Sequence, residues 1–177
     1  MGRAKVGAVG MALLLGIGAG DAAAADIDSA TAAYKSGDYR AAFNEFQELA
    51  NGGDAQAMVW LGFLYEQGQG TVQDYDEAMS RFRGAADLGN AQAEFWVGDM
   101  YANGYGVAKD AIEAVRWYRK SAEHGEVFGE YALGQAHERG EGAPRDLRAA
   151  RRWYQAAADH GSTDAQAALQ RLTANPE

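Results

Sequence analysis

Apolar residues recur along this chain at three- and four-residue steps, and the whole arrangement then repeats every 36 residues. Blocks 54–89, 90–125 and 126–161 superpose without insertion or deletion. In the first half of the first block, Ala57, Leu61, Gly62, Leu64 and Tyr65 fall on one face of a helix, here called helix A. In the second half, Ala78, Phe82, Ala85 and Ala86 do the same for helix B. Between them lies a Gly-X-Gly turn, at Gly68 and Gly70, Gly104 and Gly106, and Gly140 and Gly142. Glycine suits the left-handed conformation that closes a helix, so this turn ends helix A and reverses the chain. Asp74, Asp110 and Asp146 are placed to cap helix B, with Glu77 and Glu113 at capping-box spacing in two repeats. Gly89, Gly125 and Gly161 then stop helix B and hand the chain to the next helix A.

Glycine also recurs inside helix A, at Gly62, Gly98 and Gly134. It costs about 1 kcal/mol against alanine there, so its recurrence predicts a neighbouring helix too close for a side chain. The flanks are partial copies. Gly37-Asp38-Tyr39, followed by Ala42, Phe46, Leu49, Ala50 and Gly53, matches a helix B preceded by a helix over about Ile27 to Lys35. Thr163 to Leu172 repeats helix A alone, with Gln170 in place of the glycine, as a polar end cap should. The expected organisation is residues 26–53 as a first helix pair, three full repeats over 54–89, 90–125 and 126–161, and a capping helix with a tail over 162–177. No stretch shows the sustained alternation of a strand, so the fold class is all-α, a solenoid of nine helices.

Composition narrows the chemistry. The 177 residues include 23 glycines, two prolines and no cysteine. The absent thiol excludes a disulfide framework, a thiolate metal site and a cysteine nucleophile. A net charge of −9 disfavours nucleic acid as a partner. Arg3 and Lys5 precede a charge-free run from Val6 to Gly20, and Ala23-Ala24-Ala25 precedes Asp26, the pattern of a secretory signal peptide cut after Ala25. The run is too short and too rich in glycine to span a bilayer, which needs about 20 apolar residues. The expectation is an exported protein, periplasmic or secreted, with a cleaved segment 1–25, a mature charge of −10 and no stable membrane insertion.

The series Ala93, Val97-Gly98, Tyr101, Gly104, Gly106-Val107, Asp110, Ala114, Trp117-Tyr118, Ser121-Ala122 and Gly125 resembles the Sel1-like repeat, a 36-residue relative of the tetratricopeptide repeat. The resemblance covers about residues 54–172, while the turn at 37–42 is closer to a tetratricopeptide repeat. It implies a right-handed superhelix whose concave side is lined by the A helices. It also implies a role as an adaptor holding a protein or peptide, in bacteria often a cell-envelope signalling or export component. On that resemblance the groove is lined by Val59, Phe63, Glu66, Phe95, Asp99, Tyr131, Gln135 and Glu138. A competing reading packs the aromatic members of this set against the adjoining repeat. The open edges of such an array leave self-association as a further expectation.

Catalytic signals are sparse. His124 and His160 immediately precede helix-ending glycines, where a positive charge meets the negative end of the helix dipole. His137 replaces an aromatic residue of helix A. No metal motif occurs, and the Gly-X-Gly turns follow helices rather than strands, so no cofactor or metal is expected. Cysteine-rich relatives imply a link to β-lactams, but none of the mature chain's serines has a lysine three residues on. An envelope enzyme or glycan-binding protein remains the rival reading, with Asp99, Glu130 and Glu138 as its carboxylates. Charge is uneven: residues 26–137 hold 18 acidic and 8 basic residues, residues 138–177 six of each. Arg145, Arg148, Arg151 and Arg152 form a basic stripe suited to an acidic partner or anionic headgroups, or simply to water.

Overall fold

The computed structural model describes residues 21–174, with side chains from residue 27 onward. Most of the expected signal segment therefore lies outside the described residues. Nine helices and no strand make up the described residues. In order they are α1 (Asp21–Ser36), α2 (Tyr39–Asn51), α3 (Ala55–Gln67), α4 (Tyr75–Asp87), α5 (Ala91–Asn103), α6 (Ala111–Glu123), α7 (Val127–Arg139), α8 (Leu147–Asp159) and α9 (Thr163–Ala174). The first helix starts six residues before Ile27 and runs across the expected cut between Ala25 and Asp26. The helices of the three full repeats are each 13 residues long, so the 36-residue period is reproduced turn for turn.

The helix boundaries have local causes. Gly68, Gly104 and Gly140 close α3, α5 and α7 in the left-handed conformation, at φ 67°, 78° and 72°. Asp74 accepts from the amides of Asp76 and Glu77, Asp110 from Ile112 and Glu113, and Asp146 from Arg148 and Ala149. The reciprocal half of the expected capping box does not form. The amide of each capping aspartate donates instead to the A helix, to Tyr65 O, Tyr101 O and His137 O, each at 2.9 Å. Glu77 and Glu113 turn to Arg81 and Arg116 of their own helices. The A helices are capped by Asp54, Asn90, Glu126 and Ser162. Glu126 is the poorest of these, accepting from Phe128 N at 3.4 Å, whereas Asn90 accepts from Ala93 N at 2.9 Å. Burial, with the Glu130 charge behind it, pushes the Glu126 carboxyl above the usual carboxylate range.

Two glycine series fix how helices meet. A Cβ on Gly98 would stand 2.6 Å from the Tyr118 ring, and one on Gly134 2.6 Å from the Tyr154 ring. Phe82 stands in the same relation to Gly62. The recurring glycine and the recurring aromatic are thus one contact, an aromatic of helix B laid flat on the backbone of helix A. The second turn glycine, exemplified by Gly106 at φ 63°, lies against the backbone of Tyr75, the first residue of the preceding helix B. A side chain there would separate successive repeats.

Each helix packs on its chain neighbours, and α5 and α7 also touch directly. Two A helices, α5 and α7, meet directly while among the described residues no two B helices meet to that extent, which sets the A helices on the inner side of the stack and the B helices outside. Three core clusters run along it: one under α1–α3, a central one from Val59 to Ala136, and one joining α8 and α9. No helix among the described residues is long and apolar enough to cross a membrane.

Candidate functional site

Inner-face side chains come from the A helices, and the eight expected groove residues divide sharply there. Val59 is 0%, Phe63 3% and Phe95 6% exposed, so these three are core and not lining. Phe63 stands edge-on to Phe82 and Trp96, and Phe95 packs on Trp96, Tyr118 and Phe128. The physical reason is that an A helix is covered on several sides, by its own helix B, by the preceding helix B and by the next A helix. A second apolar stripe, about 100° from the first, is therefore buried too.

Glu66, Asp99, Tyr131, Gln135 and Glu138 are half-buried on α3, α5 and α7. Asp99 and Gln135 occupy the same repeat position, where Phe63 turns inward. Burial, reinforced by the Asp99 charge, holds the Tyr118 phenol well above its ordinary range. Tyr131 lies 5.5 Å from the Tyr154 ring. Glu138 is an internal brace rather than open lining. It accepts from Tyr154 Oη at 2.7 Å and from both terminal nitrogens of Arg171, Nη2 at 2.9 Å. The Arg171 bonds hold the Glu138 carboxyl below the usual carboxylate range.

Of two equivalent buried carboxylates, Glu94 escaped the reading of the sequence, and Glu130 entered it only as a carboxylate of the enzyme reading. Glu94 and Glu130, 4% and 3% exposed, sit in the first turns of α5 and α7. Each meets the Nδ1 of a histidine at the end of its partner helix, His124 at 2.7 Å and His160 at 2.9 Å. The geometry places an anion at a helix N-terminus and an imidazole at a helix C-terminus, so each side of the pair also suits its helix dipole. The Glu130 hydrogen bond and charge raise the His160 pKa above its ordinary value. The signal was available, because Glu94 and Glu130 share a repeat position just as His124 and His160 do. His137 is half-buried, with Nδ1 3.3 Å from Pro144 O. Among the described residues no group of three or more His, Cys, Asp or Glu is placed to hold a metal. Of the three carboxylates that the enzyme reading requires, Glu130 and Glu138 are engaged with His160, Tyr154 and Arg171.

The Sel1 repeat model matches residues 55–90, 91–126 and 127–162, each one residue on from the blocks expected from the sequence. A Sel1 repeat protein from Oxalobacter formigenes is 30% identical with a TM-score of 0.77, over 83% of this chain and 59% of that one. A protective antigen of uropathogenic Escherichia coli strains, displaying an SLR fold, is 34% identical with a TM-score of 0.78, over 85% of this chain and 33% of that one. This chain thus spans about six-tenths and one-third of the length of these two. Cysteine rich protein B of Helicobacter pylori, at 21% identity and a TM-score of 0.54 over 86% of this chain and all of that one, shares the fold. No curated protein matches. With three matched repeats covering more than half of its length, the chain belongs to the Sel1 repeat family, α-solenoids that generally serve as scaffolds for protein–protein interaction.

Proposed function

We propose that this protein is an exported scaffold that holds a protein or peptide segment against the inner face of its A helices. The observation that carries this reading is the pair Asp99 and Gln135, set at one repeat position on touching helices and left half-exposed where Phe63 is sealed. With Tyr131 and Glu66 they form a polar strip bearing one ring, which suits a partner backbone seeking hydrogen bonds and a basic side chain seeking a carboxylate. Export rests on the N-terminal sequence pattern: Arg3 and Lys5, the charge-free run to Gly20, and the alanines before Asp26. The partner is taken to be a cell-envelope component on the same grounds. A photo-crosslinking residue placed at Asp99 or Gln135 in intact cells should trap a discrete envelope protein. The same probe at Arg40, exposed on α2 at the outer side, should not. Equal trapping at all three positions, or none at the inner two, contradicts the reading.

A further inference from the structure

The basic stripe read from the sequence does not survive as a unit. Half-buried Arg151 donates Nη2 to Leu172 O at 2.8 Å, and exposed Arg145 donates Nε to Glu138 O at 3.2 Å, so both side chains are tied back onto the fold. Arg148 and Arg152 are exposed and lie in no ion pair among the described residues. They are joined from α6, one repeat earlier, by exposed Arg119 and Lys120, also outside any ion pair, and by Arg116, which meets Glu113 at 2.9 Å.

Register shows that these cations face one way. Arg116 and Arg152 are 36 residues apart, and so occupy equivalent positions on consecutive outer helices. On α4 the residue equivalent to both is Ser80, and the one equivalent to Arg148 is Asp76. The band therefore begins at α6 and is a property of repeats 2 and 3, not of the fold. Two tryptophans lie within it, Trp117 and Trp153, again at equivalent positions and each half-buried. The Lys120 ammonium stands 4.0 Å from the Trp117 ring centroid. Exposed arginines beside partly covered indoles are the composition of binding hot spots. Like charges gathered on one face repel one another in the free protein, a cost that an anionic partner removes.

We infer that the outer face of α6 and α8 docks an acidic segment of another protein. This surface is separate from the inner face and does not depend on it. A discrete segment fits better than a continuous anionic sheet. Glu123 and Asp159, equivalent and exposed, close the band at the last turn of each helix and would oppose a sheet while fixing the register of separate carboxylates.

The test uses the full chain and a fluorescein-labelled, glutamate-rich peptide followed by anisotropy. The peptide should bind, and the affinity should fall steeply between roughly 0.05 and 0.5 M salt as the charges are screened. Charge reversal in R119E/R148E/R152E should weaken binding by about tenfold or more, with the circular dichroism and melting temperature retained. Should that variant fail to fold, the neutral R119Q/R148Q/R152Q should show a smaller loss in the same direction. Peptide binding unchanged by either variant would overturn the assignment. So would binding to anionic phosphatidylglycerol vesicles without peptide binding, or a self-association abolished by the same substitutions, which would make a second copy the occupant.

Discussion

Repeats 1 and 3 share one backbone plan and fasten it with opposite chemistry. In α3 and α5 the position facing the preceding repeat holds Trp60 and Trp96; in α7 and α9 the same position holds Ala132 and Ala168. Around Trp96 the rings of Phe63 and Phe95 each lie 4.9 Å away, and that of Phe82 6.1 Å. At the other end, Glu138 binds Tyr154 and Arg171 and so ties the last repeat to the cap. The hairpin ends differ likewise. Where repeat 1 has Met58 and Leu88, repeats 2 and 3 have the buried glutamates and their histidines. A stack of identical hairpins can thus be closed by apolar area at one end and by charge-assisted hydrogen bonds at the other. The second end should respond to pH and salt more strongly than the first.

The sharpest way to break the comparison is at the aromatic end. Trp96→Ala empties the site between three rings and should cost about 3–5 kcal/mol in urea denaturation. A cost near that of a surface substitution would show that the rings are not the fastening.

A smaller effect separates packing from propensity in repeat 3. Gly129 stands where the other repeats have Ala57 and Ala93, and a Cβ there would meet the Ser121 side chain, with Ser121 Cβ 2.7 Å away. Ser121 itself donates to Ala91 O at 2.8 Å. Gly129→Ala alone should destabilise by about 1–3 kcal/mol through overpacking. Combined with Ser121→Ala it should recover only part of that loss, because the remaining Cβ of residue 121 and the Ala122 backbone nitrogen, at 2.7 and 2.9 Å, still crowd the new Cβ. Additive losses in the double-mutant cycle would show that the two residues are not coupled.

Acid should act at the polar end first. The Glu138 carboxyl is held below its ordinary value, so its contribution is complete above pH 4.5 and is lost as pH falls through the depressed value. Amide exchange in α9 should therefore rise on acidification before that in α3, and Glu138→Gln should reproduce this at neutral pH. The smallest effect belongs to His160. Its raised pKa means that the pair with Glu130 contributes fully below pH 6.5, and that the contribution fades as pH climbs through the raised value. His160→Gln should remove that part of the slope of melting temperature against pH, while leaving the plateau at high pH nearly unchanged.

What was legible in the sequence follows from the range of each interaction. Asp74 and its equivalents announced their role because a cap binds amides two or three residues away. Gly98 and Tyr118 each recurred at one spacing, so a close contact was readable even before its partner was known. Phe63 and Phe95 were not assignable from one helix, since what covers their stripe is set by neighbouring repeats. Glu138 was placed in the groove for a similar reason: its partner Arg171 lies 33 residues on, in the cap, where the repeat pattern is already degenerate. The link from Glu94 to His124 spans 30 residues across a hairpin, beyond any local rule, although its recurrence one period later was in plain view.

Native-state amide hydrogen exchange resolved by helix tests the contrast between the two ends most directly. At neutral pH, protection should be greatest from α3 to α6 around the tryptophans and should decline through α7 and α8 to α9. The decline should steepen when salt is added or Arg171 is replaced by methionine. Uniform protection along the array, or a cap that outlasts the aromatic centre, would contradict it.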